Sequence, residues 1–197
     1  MEANDLARRK RVHKLLASGK LSTGPDFHDA AFIYQHGNEP DDYLLAHLLA
    51  MTSVAKGDLD SRWIAAATLD RYLQAIGQPQ VFGTQYLNPD YLEFFRRANQ
   101  LRHSAQSADS GTKQVPDKTP QIKSAATNVK GINGSTTKKP APKKQEDYTQ
   151  APYNSGLIPD ALRANYCVIE IKQQQKKLAA LNSGKTFVQN PIEGCTK

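Results

Sequence analysis

Apolar side chains recur along this chain at spacings of three and four residues, which is the period of an amphipathic helix. The first run contains Leu6, Val12, Leu15 and Leu16 and stops at Gly19. Four further runs follow, separated by short stretches that contain Gly or Pro: DFHDAAFIYQH, DDYLLAHLLAMTSVAK, SRWIAAATLDRYLQAI and DYLEFFRRANQLRH. The pattern therefore predicts five helices before residue 104.

Residues that commonly start and end helices stand at the edges of these runs. Thr23 and Asn38 each lie two residues before a proline, as expected near a helix N-terminus. Gly57 and Gly77 stand where the third and fourth helices should end. After residue 150 two more helices are predicted, IPDALRANY and VIEIKQQQKKLAALN. Only QVFGTQY suggests a strand. The sequence therefore predicts an all-α fold.

Short connections determine how the predicted helices are arranged. Connections of about two to five residues make consecutive helices antiparallel neighbours. The second helix then ends, the third begins and the fourth ends at one pole. We expect Gln35, His36 and Asp41 to meet the loop after the fourth helix there, with Asp70 and Arg71 about one to two turns below. The predicted architecture is a small antiparallel helical bundle that loosely resembles helical repeats.

A long segment without helical periodicity interrupts the pattern. Residues 104–150 contain eight Lys, four acidic residues and no aromatic residue before Tyr148. Such a composition cannot bury enough apolar area to order the chain. We therefore predict a disordered basic insertion between a helical domain, residues 1–103, and a C-terminal helical segment, residues 151–183, that packs on it. Residues 184–197 are expected to form a flexible tail.

The basic charge of the chain falls largely in this insertion. The net charge is +7, and the insertion contributes eight minus four, or four, of these charges. Because only charge organised on a folded face makes a nucleic-acid footprint, we do not expect nucleic acid as a partner. The alternative, a basic arm, depends on the stretch KKPAPKK.

No membrane association is expected, because no apolar run approaches the ~18 residues of a membrane span. The N-terminus also lacks the apolar core of a signal peptide. The protein is expected to be cytoplasmic as given, or secreted if an export signal has been removed.

Neither the cysteines nor the histidines show the spacing of a metal site. Cys167 and Cys195 are too few for a disulfide framework and are predicted to be free thiols. His28, His47 and Asp70 lie on three consecutive predicted helices, yet they lack the local spacing that makes a metal site specific. We predict no metal and no cofactor.

Four segments together carry a resemblance: DFHDAAFIYQHG, DDYLLAHLLA, RWIAAATLDRYL and GQPQVFGTQY. They resemble a bacterial family of unknown function marked by a Gln-His pair at a helix end, an Asp-Arg pair in a later helix and a Gly-Thr-Gln loop. The resemblance covers about residues 5–90, and LIPDALRANYCVIEI is similar to the segment that follows in that family. The resemblance implies a fold but no reaction. The hallmark positions that it implies in this chain are Gln35, His36, Asp70, Arg71, Gln80, Gly83, Thr84 and Gln85.

Two classes of function stay open at this point. A binding module would hold a protein or a small polar ligand with polar groups at the pole. These groups belong to Gln35, His36, Arg71, Gln80, Thr84 and Gln85. A small hydrolase or transferase would use His36 as general base beside Asp41 or Asp70, together with Arg71 and the Gly-Thr-Gln loop. Because the chain has no GxSxG motif and no Cys beside a His, the binding module is the preferred interpretation.

The same residues also have purely structural interpretations. His36 could cap the carbonyls of its own helix. Asp70 or Arg71 could form one ion pair with a neighbouring helix, and the polar groups of residues 80–86 could bond to their own backbone. Five residues of the fourth helix are spaced as core: Trp63, Ile64, Leu69, Tyr72 and Leu73.

Overall fold

The computed structural model describes residues 2–88, 97, 100–101 and 147–195. These residues form helices and connecting segments without a β-sheet, so the all-α prediction is confirmed. The helices are α1 (Glu2–Ala17), α2 (Gly24–Tyr34), α3 (Pro40–Ala55), α4 (Arg62–Ala75), α5 (Asp160–Asn165) and α6 (Ile171–Asn182). A 3-10 turn, Leu59–Ser61, precedes α4. None of the helices described is long and apolar enough to cross a membrane.

The predicted signals at Thr23, Gly57 and Gly77 act where the sequence places them, whereas the N-cap of α3 is Glu39 and not Asn38. At the start of α2, the Asp26 backbone N–H donates to Thr23 Oγ1 over 3.3 Å, and the Thr23 N–H donates to Asp26 Oδ2 over 2.8 Å. This reciprocal pair is a capping box. Pro40 occupies the first turn of α3. Gly57 and Gly77 follow α3 and α4 with φ of 92° and 76°, a left-handed conformation that favours glycine.

The core lies between α2, α3 and α4, and α3 is the central helix because it contacts both others extensively. Small side chains at these contacts let the helices approach closely. Five alanines are buried there: Ala30, Ala31, Ala46, Ala50 and Ala65. Helix α1 adds Val12 to this core.

The segment after residue 147 packs on α4 and on the loop that follows it. Val168 is buried against Phe82 and Ala66. Two isolated bridges, Gln80 with Tyr153 and Leu87 with Thr149, join the segment to residues 80–87. The strand suggested by QVFGTQY is therefore a loop with a bridge near each end.

Residues at both ends of the C-terminal segment depart from the sequence-based picture. Gln150, which the analysis assigned to the insertion, is buried. The prediction of free thiols is wrong, because Cys167 and Cys195 form a disulfide with their Cα atoms 5.7 Å apart. The expected flexible tail is thus attached to the end of α5.

The tail lies beside Trp63, which the sequence analysis placed in the core. Trp63 is instead 44% exposed and lines a cavity of about 600 Å³ with tail residues 187–192 and the disulfide. Its neighbour Ile64 is fully buried, as predicted.

The predicted fifth helix and residues 104–146 of the predicted insertion lie largely outside the described residues. Of the predicted fifth helix, residues 97, 100 and 101 are described, and they are helical.

Candidate functional site

A cleft of about 420 Å³ lies at the pole where α2 ends, α3 begins and α4 ends. Four of the residues predicted for this pole line the cleft: Gln35, His36, Arg71 and Gln85. Antiparallel packing brings the first three together, and the loop after α4 adds Gln85. Asn38, Gln74 and Tyr86 also line the cleft, although the sequence analysis did not select them.

Arg71 joins the end of α2 to the loop after α4. Its Nη1 donates to the backbone carbonyl of Gln35 over 2.9 Å, and its Nε donates to Gln85 Oε1 over 3.2 Å. These two bonds fix the plane of the guanidinium group. Nη2 has no hydrogen-bond partner among the described residues. The ion pair that the sequence allowed for Arg71 is absent from the part of the chain that the structure describes.

The carbonyls at the end of α2 are satisfied by arginines and not by His36. Arg9 Nη1 donates to the backbone carbonyl of His36 over 2.9 Å, while Arg71 satisfies Gln35. Cationic groups are favoured at this end of a helix. The His36 side chain is exposed on the cleft wall and makes no hydrogen bond to any described residue. The structure therefore gives His36 no capping role.

Asp70 organises the loop after α4 and does not contact His36. Its fully buried carboxylate accepts the backbone N–H groups of residues 81, 82 and 84 over 2.7, 2.9 and 2.8 Å. Thr84 Oγ1 donates to the same carboxylate over 2.7 Å. Both oxygens are thus occupied, so no His36–Asp70 pair exists for general-base catalysis. Asp41, the other residue expected beside His36, is exposed.

Gln80 and Thr84, which were predicted to bind a ligand, do not line the cleft. Gln80 is fully buried, where its Oε1 accepts the Gln85 N–H over 3.1 Å and its Nε2 donates to the Gln85 carbonyl over 3.1 Å and to the Gln150 carbonyl. Thr84 is bonded to Asp70. Their polar groups are used within the protein because the loop has no sheet partner along most of its length.

The C-terminal segment completes the support of this loop. Gln174 Nε2 donates to the Phe82 carbonyl over 2.8 Å, and Gln150 Nε2 donates to the Gly83 carbonyl over 2.6 Å. Gly83 has a φ of 77°, and a Cβ at this position would overlap the side chains of Gln174 and Tyr153. The loop is therefore held from α4 on one side and from the C-terminal segment on the other.

Two buried polar atoms of residues that line the cleft lack a hydrogen-bond partner in the part of the chain that the structure describes. They are Gln74 Nε2 and the Tyr86 hydroxyl. Gln74 is 6% exposed and lies one turn after Arg71 on α4. Burial raises the pKa of Tyr86, which keeps its hydroxyl protonated and able to donate. The three-residue spacing from Arg71 was a signal that could have identified Gln74.

At the opposite pole, a Ser-His-Asp arrangement has a structural role. His28 Nδ1 lies 2.7 Å from Ser61 Oγ and 3.9 Å from Asp58 Oδ2. Ser61 Oγ donates to Ser53 Oγ over 2.8 Å, and Ser53 Oγ donates to the Gly24 carbonyl over 2.7 Å. Ser61 is fully buried, so its hydroxyl is closed to a substrate.

The three residues considered as a metal set have separate partners. His28 bonds to Ser61, His47 Nδ1 contacts the Ala65 carbonyl at 2.8 Å, and Asp70 binds the loop. Across the described ranges, no group of three His, Cys, Asp or Glu side chains is placed to hold a metal ion.

No family model, curated protein or solved structure matches this chain. The family resemblance therefore stays a sequence-based expectation.

Proposed function

We propose that the protein is a binding module that holds a small polar ligand in the cleft at this pole. The observation that supports this proposal is the pair of unpartnered polar atoms, Gln74 Nε2 and the Tyr86 hydroxyl. A buried polar group without a partner costs about 1–3 kcal/mol of stability. Such groups are rare in native proteins, and each calls for an explanation.

Their location is what favours a ligand. Of the three buried side-chain atoms that lack a partner among the described residues, two belong to residues lining this one cleft. Comparable buried groups elsewhere, such as those of Asp70, Gln80 and Gln174, are fully bonded. A ligand with hydrogen-bond acceptors would restore the bonds that the protein leaves unmade.

The size and rigidity of the cleft also suit a small molecule. Its volume of about 420 Å³ lies within the usual range of small-molecule sites, about 300–1,000 Å³. Arg71 is fixed by two hydrogen bonds, and Asp70 fixes the loop that carries Gln85 and Tyr86. A preorganised site loses little conformational entropy on binding.

A thermal-shift screen of small polar metabolites on the full chain tests the proposal. Compounds that stabilise the wild-type protein should stabilise Tyr86→Phe and Gln74→Leu less, because each change removes one free donor. Tyr153→Phe is the matched control, since the Tyr153 hydroxyl donates to the Phe82 carbonyl outside the cleft. Equal shifts in all four proteins would contradict the proposal.

His36→Ala gives a second measurement at the same site. Because its side chain is exposed and makes no hydrogen bond to the described residues, the free energy of unfolding should change by less than about 0.5 kcal/mol. We expect the same variant to bind the stabilising compound more weakly. A variant that melts earlier and binds normally would show that His36 is structural.

A further inference from the structure

We infer that the ligand of this cleft is an anion held through a carboxylate by Arg71. The inference rests on the proposed binding function and adds the chemical class of the ligand. The groups that the cleft leaves without a partner are hydrogen-bond donors, and the one permanent charge among the described residues that line it is positive.

Among the described residues that line the cleft, the polar atoms without a partner are hydrogen-bond donors. Gln74 Nε2 and the Tyr86 hydroxyl are buried without a partner, and Arg71 Nη2 is unbonded within the described residues. No Asp or Glu is among the described residues that line the cleft. A ligand that accepts hydrogen bonds and carries negative charge is therefore complementary to the cleft, and charge-assisted bonds are stronger than neutral ones.

The guanidinium group is already oriented for such a ligand. The bonds from Nη1 to the Gln35 carbonyl and from Nε to Gln85 Oε1 hold the side chain between α2 and the loop. Because Arg71 is half-buried and has no acidic partner in the described part of the chain, its charge is open to an external anion. Its unbonded Nη2 can donate a charge-assisted hydrogen bond to a carboxylate oxygen.

A carboxylate fits better than a phosphate. Arg71 is the only Arg or Lys among the described residues that line the cleft. The start of α3, where an anion would normally bind, already holds the Asp42 carboxylate, which accepts the N–H groups of Asn38 and Glu39 over 3.2 and 3.4 Å. One positive charge balances a carboxylate but leaves a phosphate dianion partly uncompensated.

The test compares carboxylates with their neutral amides on the full wild-type chain. The probes are acetate, succinate and benzoate beside acetamide, succinamide and benzamide, with inorganic phosphate as a further anion. Binding is measured by calorimetry at two salt concentrations. We expect at least one carboxylate to bind about 10- to 100-fold more tightly than its amide, because the charge-assisted bond to Arg71 is lost in the amide. Its affinity should fall as salt rises.

Variants then locate the charge. Arg71→Gln should remove the preference for carboxylate over amide, whereas Arg8→Gln, which changes an exposed arginine paired with Asp5, should retain it. Because Arg71 also supports the loop, Tyr86→Phe serves as a second variant that preserves packing. This variant should bind the same carboxylate at least several-fold more weakly than wild type does.

Each outcome decides the inference. Amides that bind as tightly as their carboxylates would overturn it and leave the proposed binding function standing. Phosphate binding more tightly than any carboxylate would overturn the assignment of a carboxylate. If no probe of either class binds, the inference fails, whereas the proposed function is then decided by the metabolite screen.

Discussion

At the scale of single residues, four of the buried glutamines do two different things. Gln80, Gln150 and Gln174 donate to backbone carbonyls of residues 82, 83, 85 and 150, and so hold the loop after α4. Gln74 is buried too, yet its Nε2 has no partner among the described residues. The first three contribute to stability, whereas Gln74 is the expected ligand contact.

These two roles predict opposite effects of the same substitution. Gln174→Leu should lower the free energy of unfolding by about 1–3 kcal/mol, because it leaves buried backbone groups without a donor. Gln74→Leu should leave that free energy unchanged or raise it by up to about 1 kcal/mol, because it removes an unpartnered polar group. Urea denaturation of both variants checks this, and a clear loss of stability in Gln74→Leu would mean that its amide is bonded in solution.

The sequence predicted which residues lie at the pole better than it predicted which groups they bond to. Helix ends and short connections are visible in the pattern, so Gln35, His36 and Arg71 were placed together correctly. The partners of Gln80 and Thr84 could not be predicted, because they are backbone groups and a buried carboxylate brought close only by the fold. A glutamine in a loop has the same sequence signature whether it faces solvent or a carbonyl.

At the scale of elements, Asp70 connects α4 to the loop that follows it. Asp70→Asn keeps the shape of the side chain but replaces one acceptor oxygen with an amide nitrogen that cannot accept a hydrogen bond. We expect the free energy of unfolding to fall by about 2–4 kcal/mol, since buried N–H groups lose a charged acceptor. Thermal and urea denaturation measure this loss, and a fall below about 1 kcal/mol would show that the loop is held mainly by the C-terminal segment.

The capping box of α2 makes part of the stability depend on pH. Hydrogen bonds from the backbone of Thr23 and Ser22 hold the pKa of Asp26 at about 2, below its usual range. Because the folded-state pKa of Asp26 is lower than its unfolded value near 3.9, the charged carboxylate stabilises the fold at pH values above that unfolded value. This stabilisation is lost as the pH falls through about 2.

Asp26→Asn should therefore melt earlier than wild type at pH 7, and the difference should shrink between pH 4 and 2. Melting curves of both proteins at several pH values test this. A difference that does not vary with pH would mean that the Asp26 charge does not contribute.

Elements with their own local signals were predicted, and elements defined by distant partners were not. The periodic apolar runs, the cap at Thr23 and the proline at position 40 identified α2 and α3. The alternating stretch of residues 80–86 suggested a strand, but three of its backbone N–H groups, those of residues 81, 82 and 84, donate to Asp70. No local pattern distinguishes an N–H group that faces a neighbouring strand from one that faces a buried carboxylate.

At the scale of the whole molecule, the disulfide determines where the tail lies. Two cysteines 28 residues apart have no spacing that identifies a bond, so the pairing could not be deduced from sequence. The bond attaches residue 195 near the end of α5, and residues 187–192 line a cavity together with Trp63.

Reduction should release this tail. We expect a loss of about 2–4 kcal/mol in the free energy of unfolding. We also expect a red shift in the emission of Trp63, which is the single tryptophan of the chain. The double variant Cys167→Ser, Cys195→Ser is the control and should not respond to reductant. Unchanged stability and emission on reduction would show that the tail does not depend on the disulfide.

Contacts across residues 80–87 predict that the two parts of the chain remain together after cleavage. The Gln80 N–H donates to the Pro152 carbonyl over 3.0 Å, and Leu87 and Thr149 exchange two bonds of 2.8 Å. Trypsin should cut the lysine-rich residues 104–146 first. The fragments should then elute as one complex in size-exclusion chromatography, although the disulfide does not link them. Separate elution would show that these contacts are too weak to hold the fragments together.

The Leu87–Thr149 bridge also bears on how this protein can change during evolution. Leu87 and Thr149 lie side by side, so the two ends of the intervening stretch are close together, and lengthening that stretch should hardly affect folding. Doubling a flexible loop costs only about 0.6 kcal/mol of closure entropy. Leu87 also lines the cleft. Any sequence inserted after it is tethered beside the mouth of the cleft at a high effective concentration. New recognition segments can therefore be gained or lost there while the ligand site itself stays intact.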